Sequence, residues 1–232
     1  MNTTSISLDL TPRIRTLLAL ADDALILGHR LSEWTGHAPA LEEELALANI
    51  ALDLIGQARA LYQATGLNED DLAYRRDPHQ FRNAQIAELP NGDFAFSIAR
   101  LFLVSLASDQ FWRNAVQHED PDIAAIAAKA EKETAYHVRH AADWLVRLGD
   151  GTDESHRRAQ TALNALWPYT GDISDRAAWL RFVSPVLTRA TLTQPADGWM
   201  QSGGRDGRHT EHLGHLLAEM QILPRTYPGA TW

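Results

Sequence analysis

The chain reads as an all-α protein: a four-helix bundle with additional C-terminal helices, folded as one domain over residues 1–232. Three observations predict this. Apolar residues recur at helical spacing through long segments that begin and end on helix-start and helix-stop residues. No stretch alternates apolar and polar residues for long enough to make a strand. Two helical pairs, over 12–65 and 93–148, flank one long connection, which is the layout of a bundle with a single crossover.

Thr11 followed by Pro12 is an N-cap with proline at the first helical position, and the first helix runs over 14–34. Gly36-His37-Ala38-Pro39 makes a short turn. A second helix covers 41–65 and stops at Gly66. The connection 67–92 contains Pro78, Pro90 and Asn91-Gly92. It is long for a structureless loop, so it is expected to pack along the bundle and to have a task there. A third helix covers 93–118. Pro121 opens a fourth, which ends near Gly149-Asp150-Gly151, and weaker helices follow at 153–167, 174–193 and 209–222.

The formal net charge of -9 and the pI of about 5.5 argue against nucleic acid and against anionic membrane as partners. The absence of cysteine excludes a disulfide scaffold, a thiolate zinc site and an iron–sulfur cluster. Residues 1–10 lack a basic region followed by an apolar run. No segment has the roughly 18 uninterrupted apolar residues of a spanning helix. A cytoplasmic protein is expected.

The second helix carries the most chemistry. Between Leu45 and Leu61 nearly every residue is apolar or small, except Asn49, Asp53 and Gln57, with Arg59 to one side. Their i, i+4, i+8 spacing makes one stripe, and a helix apolar on most sides is buried, so the stripe is expected to face into the bundle. The first helix adds Asp22, Asp23, His29 and Glu33, the third Ser105 and Asp109, and the fourth Lys129, Glu133, His137 and His140. Carboxylates and histidines on four helices are what a di-iron carboxylate bundle shows. Such a site, however, needs Glu-x-x-His on two of the helices. The second helix offers Asp53 and then Gln57, and a neutral carboxamide is a poor replacement for imidazole on iron. Glu133 and His137 are four apart, with Thr134 at the third position before His137. Asp153 and His156 have the right spacing but open a later helix, where acidic residues suit the helix dipole. The stripe of Asp23, His29, Asp53, Gln57, Asp109, Glu133 and His137 is therefore expected to be a degenerate metal site. It would be a buried polar network without metal, with pairs such as Asp53 to Lys129 or Arg30.

Other constellations read more plainly. His209, His212 and His215 at i, i+3, i+6 are read as a helix surface packed on the bundle rather than a metal site. The glycine-rich, basic run 203–208 lacks a preceding strand and a GK[ST] ending, so a tight turn or interface loop replaces a P-loop. Of the seven tryptophans, Trp34, Trp112 and Trp144 are assigned to the core, and Trp232 to a tail that anchors a partner or frays. No nucleophile elbow supports a hydrolase triad.

Several long runs resemble one family. They are Gly28-His-Arg-Leu-Ser-Glu-Trp-Thr-Gly-His-Ala-Pro39, Leu45-Ala-Leu-Ala-Asn-Ile-Ala-Leu-Asp-Leu-Ile-Gly-Gln-Ala-Arg59, Lys132-Glu-Thr-Ala-Tyr-His-Val-Arg-His140, Leu148-Gly-Asp-Gly-Thr-Asp153 and the stretch from Gly203 to Gln221. Together they are similar to the C-type subunit of phenylacetyl-CoA epoxidase over almost the whole chain. The resemblance implies a ferritin-like fold and a non-catalytic structural role. The di-iron centre would sit in a partner, the catalytic A-type subunit, and a reductase with flavin and iron–sulfur would deliver electrons from NADPH. The complex epoxidises the ring of phenylacetyl-CoA, and this chain would hold no cofactor. The alternative is a di-iron carboxylate oxygenase chain that binds iron itself. The stretch from Tyr169 to Trp179 is shorter than in the family, which puts any contact carried by that loop in doubt. With coenzyme A in view, Arg75, Arg76, His79 and Arg82 cluster in the connection. Gln80, Phe81, Arg82 and Asn83 are then expected to touch the coenzyme A part of the substrate at the interface with the catalytic partner. The competing reading pairs the arginines with Glu69, Asp70, Asp71 and Asp77.

Overall fold

The computed structural model describes Ile6, Leu8 and residues 10–230, so the anchor role expected of Trp232 lies outside the described residues. Nine α-helices follow one another: α1 (Pro12–Ser32), α2 (Leu41–Ala64), α3 (Glu69–Tyr74), α4 (Gln85–Glu88), α5 (Phe94–Ala115), α6 (Pro121–Gly149), α7 (Asp153–Leu166), α8 (Arg176–Arg189) and α9 (Glu211–Thr226) among the described residues. No strand occurs among them.

The helix ends follow local chemistry. Thr11 Oγ1 accepts the N–H of Ile14 and Pro12 takes the first helical position of α1. Asp93 accepts the N–H of Phe96 at the start of α5, and Asp120 caps α6 ahead of Pro121. Gly66, at φ +75°, ends α2 in the left-handed region where glycine carries no Cβ penalty.

α1 packs on α2 and α5 on α6, and the two hairpins meet through α2 and α6. Leu17, Leu18 and Ile26 of α1, Leu47, Ile50 and Leu61 of α2, and Ile98, Leu101 and Phe102 of α5 share one core and are fully buried. Each such side chain contributes about 1.5–3 kcal/mol on leaving water. α5 is long and apolar enough to cross a membrane by length and composition, but 67% of that window is buried inside the protein, as a bundle core requires.

The connection 67–92 is not structureless, as its length led one to expect. It folds into α3, a 3-10 turn over Pro78–Gln80 and α4, held between α1 on one side and α9 on the other. α7 and α8 cover α5 and α6. α8 stops at Arg189, short of 193. Thr191, at φ +55°, takes the left-handed position of a Schellman close, with Thr191 N–H on Thr188 O and Leu192 N–H on Leu187 O. A β-branched residue is strained there, and its hydroxyl bond to Gly149 O at 2.9 Å offsets part of that strain. α1 and α5 end at Ser32 and Ala115, two and three residues before the ends read from the periodicity.

Candidate functional site

The stripe on α2 runs along the seam with α6 rather than into the bundle centre. Asn49 is exposed, Asp53 is half-buried and only Gln57 is buried. Each polar side chain below Asn49 finds its partner on α6. His137 Nε2–H donates to Asp53 Oδ2 at 3.0 Å, and Gln57 Nε2–H donates to Glu133 Oε2 at 2.9 Å. Lys129 Nζ lies 3.1 Å from Glu133 Oε1, one turn away on the same helix. The expected pairing of Asp53 with Lys129 or Arg30 is therefore wrong: Lys129 is held by Glu133, and Arg30 is spent on Glu33 and the backbone oxygen of Glu88. Farther along the seam His140 Nε2 approaches Glu43 Oε2 at 3.2 Å, and the Tyr136 ring stacks on His140.

Burial favours the neutral form of the imidazoles on this seam. Burial lowers the pKa of His137, against the opposing pull of Asp53, and burial likewise lowers that of His140 against Glu43. His137 Nδ1 is buried and has no hydrogen-bond partner among the described residues. The other members of the stripe go elsewhere. Asp23 accepts the N–H of Ala84 at 2.6 Å and pairs with Arg205 at 2.6 Å. Burial raises its pKa and Arg205 holds it back. Asp109 is buried and pairs with Arg113 at 2.6 Å. His29, whose pKa burial lowers, bonds to none of these. Among the described residues no three His, Asp or Glu side chains gather to hold a metal ion. The space where the four helices meet is a cavity of about 20 Å³, bordered by Asp23, Gln57, Ser105, Ser108 and Thr134 with leucines and Trp112. That is room for roughly one water.

The second polar cluster lies in the connection, and sequence reasoning missed most of it. Asp22 and Arg76 are both fully buried, with Arg76 Nη1 2.9 Å from Asp22 Oδ2. The Tyr62 hydroxyl donates to Asp22 at 2.6 Å and the Arg82 N–H at 2.7 Å. Burial and the Asp22 charge keep the Tyr62 phenol protonated, well above its usual pKa. The Arg76 guanidinium also lies 4.0 Å over the Phe81 ring. A few residues on, buried Glu88 accepts from Thr210 N–H at 2.6 Å and Asn83 Nδ2 at 2.8 Å, and meets His209 Nδ1 at 2.7 Å. His209 thus belongs to a structural clamp between α4 and the start of α9. The turn 203–208 is part of the same lock. Gly207 has φ +81°, and a Cβ there would stand 2.1 Å from His79 O.

Gln80, Phe81, Arg82 and Asn83 are turned inward by this cluster. Gln80 Nε2 donates to Ile6 O at 2.7 Å, Phe81 and Asn83 are fully buried, and Arg82 Nη1 bonds the backbone oxygens of His79 and Phe81. The coenzyme A contact expected of them does not suit that placement. Their donors hold the connection in shape, and a bound phosphate would have to displace backbone bonds. Of the arginines, Arg75 pairs with Asp71 as the competing reading has it, whereas Arg76 reaches Asp22 across the core.

The fold and the paired stripe can now be set beside known proteins. A family model described as phenylacetic acid catabolic protein matches residues 2–175 and 174–232. The chain belongs to that family. The bundle is accordingly the ferritin-like fold. A relative from Escherichia coli (strain K12), named as the C-type subunit of 1,2-phenylacetyl-CoA epoxidase, is 44% identical over 240 residues, covering 93% of this chain and 97% of that protein. The runs that suggested the family lie mainly on α1, α2, α6 and α9, and α2 and α6 carry the seam.

Proposed function

We propose that this chain is the non-catalytic, supporting subunit of a phenylacetyl-CoA epoxidase complex, with the di-iron centre in a partner protein. One observation carries the reading: the side chains that a metal would need are consumed by one another. Asp53 holds His137, and Gln57 and Lys129 hold Glu133, so the carboxylates of the α2–α6 seam are already paired. Binding iron would require breaking these pairs, and a glutamine in place of histidine would remain a poor ligand. The relative's name, as one of several lettered subunits, supports work within a larger enzyme. A supporting role calls for a heterologous interface above about 1,000 Å². Substrate contact through residues 80–83 forms no part of the proposal, because their side chains face inward.

The test is reconstitution. The purified chain, its separately purified catalytic partner and a reductase are combined with phenylacetyl-CoA and NADPH. The proposal predicts a stable complex by size-exclusion chromatography with light scattering, and epoxide formation only when both ferritin-like chains are present. Turnover by this chain and the reductase alone would overturn it.

A further inference from the structure

A cleft of about 400 Å³ lies away from the seam and the clamp, between the last turns of α5 and the first turns of α8. That is the size of a small-molecule site. Its walls are held in place, because α5 is a core helix and buried Trp179 of α8 donates Nε1–H to Leu103 O at 3.1 Å. The lining divides by chemistry. Phe111 and Ala115 of α5 and Ala178 and Phe182 of α8 form an apolar part, and Phe182 keeps 56% of its surface exposed. The polar part is rich in donors. Arg113 donates Nε–H to the buried Asp109 at 2.6 Å, which pins the guanidinium, and its two terminal nitrogens make no hydrogen bond among the described residues. His118 Nδ1 accepts the N–H of Asp120 at 3.0 Å, so the neutral ring carries its proton on Nε2. Asn114 adds an amide. Asp175, the acidic residue of the lining, is engaged by its own helix: Oδ1 accepts the N–H of Ala178 at 3.1 Å. Asp175 also stands in the left-handed region at φ +45°, a conformation that non-glycine residues adopt sparingly and that gathers at ligand sites.

We propose that this cleft binds a small aromatic carboxylate, with its ring against Phe111 and Phe182 and its carboxylate on the terminal nitrogens of Arg113 and the Nε2–H of His118. The class follows from what each wall can satisfy. A planar anion with two oxygens matches the guanidinium fork. Asp109 balances the charge of Arg113, so recognition rests on directed hydrogen bonds to one carboxylate rather than on a strong positive field, and a phosphate dianion is less well served. A neutral aromatic molecule would cover the donors and leave them unpaired. A polar ligand without a ring would leave the two phenylalanines and the alanines in water, whereas an aromatic ring gains both burial and edge or offset contacts with the phenyl groups. This site is separate from the α2–α6 seam, performs no reaction, and does not depend on the supporting role.

The test titrates the purified full chain with 4-fluorobenzoate and reads binding from the width of the fluorine resonance. A Kd of about 0.1–1 mM is expected, as an open cleft and a ligand of about ten non-hydrogen atoms allow. Benzoate should displace the probe. Benzamide, which has the same shape and no charge, should not. Arg113→Gln should weaken binding roughly tenfold or more, the effect of losing a charged hydrogen-bond partner. That change also strands Asp109, so Phe182→Ala and His118→Ala, both at exposed positions, are measured beside it. Each should weaken binding about threefold or more, with helix content by circular dichroism unchanged. Three results would overturn the proposal. The first is no broadening with up to about 10 mM probe, tenfold above the weakest expected constant. The second is displacement by benzamide as effective as by benzoate. The third is binding that Phe182→Ala and His118→Ala both leave unchanged, which would put the probe elsewhere on the chain.

Discussion

Asp22 and Arg76 are an ion pair with no solvent on either side, whereas Asp53 keeps about a third of its side chain in water. This difference sets their worth. Removing one partner of a buried pair strands the other, so Asp22→Ala is expected to cost about 3–5 kcal/mol. Asp53→Ala, at a half-exposed seam, should cost under about 1 kcal/mol. Urea denaturation of both variants checks this, and equal small losses would contradict the burial of Asp22. The stripe residues were legible from their spacing on α2 and α6, because a four-residue step always shares a face. Their partners were not legible. Whether a side chain at the edge of a face turns to the centre or to the neighbouring helix depends on how two helices rotate, which one sequence does not state. Asp22 was legible only as one more carboxylate of the first helix and Glu88 not at all, since an acidic residue in an apolar run reads the same whether it meets solvent or a distant arginine or histidine. The seam histidines also set a pH dependence. Their folded pKa values are lowered by burial below the unfolded value of about 6.5. The unfolded chain therefore takes up protons first as pH falls. Stability is full above about 6.5 and declines below it. Urea midpoints at pH 8 and pH 5.5 should differ in that sense, and less so in His137→Gln; a midpoint higher at pH 5.5 would contradict neutral, buried rings.

At the scale of the elements, two glycines are expected to respond in opposite ways. Gly207→Ala would place a Cβ against His79 O and force a left-handed alanine, so the 203–208 turn should detach from the connection, lowering stability by about 1–3 kcal/mol. Gly56→Ala meets nothing among the described residues and should raise stability by up to about 1 kcal/mol. Thermal melts at low protein concentration compare them, and a destabilised Gly56→Ala would mean that its surroundings are not open. The long helices were readable because caps such as Thr11-Pro12 and Asp120-Pro121 act locally. The connection 67–92 was not, because α3 and α4 are too short to show a period and are held from outside by Asp22, Arg205 and His209. The end of α8 was hidden for a similar reason: a threonine takes the place usually filled by glycine.

For the whole molecule, membership in the phenylacetic acid catabolic family gives the ferritin-like frame, and the α2–α6 seam of that frame is closed by cross-helix hydrogen bonds, which is what the proposed supporting role builds on. The bundle layout was legible because two hairpins and one crossover leave few packings open. The supporting role rests on side-chain pairing, which only the folded chain displays. The most direct measurement of that role is the iron content of the purified chain after anaerobic loading with ferrous iron and removal of excess, by inductively coupled plasma mass spectrometry. The proposed role predicts far less than one iron per chain, with the urea midpoint unmoved by iron. About two irons per chain, with oxygen-dependent turnover of phenylacetyl-CoA by this chain and the reductase alone, would contradict it.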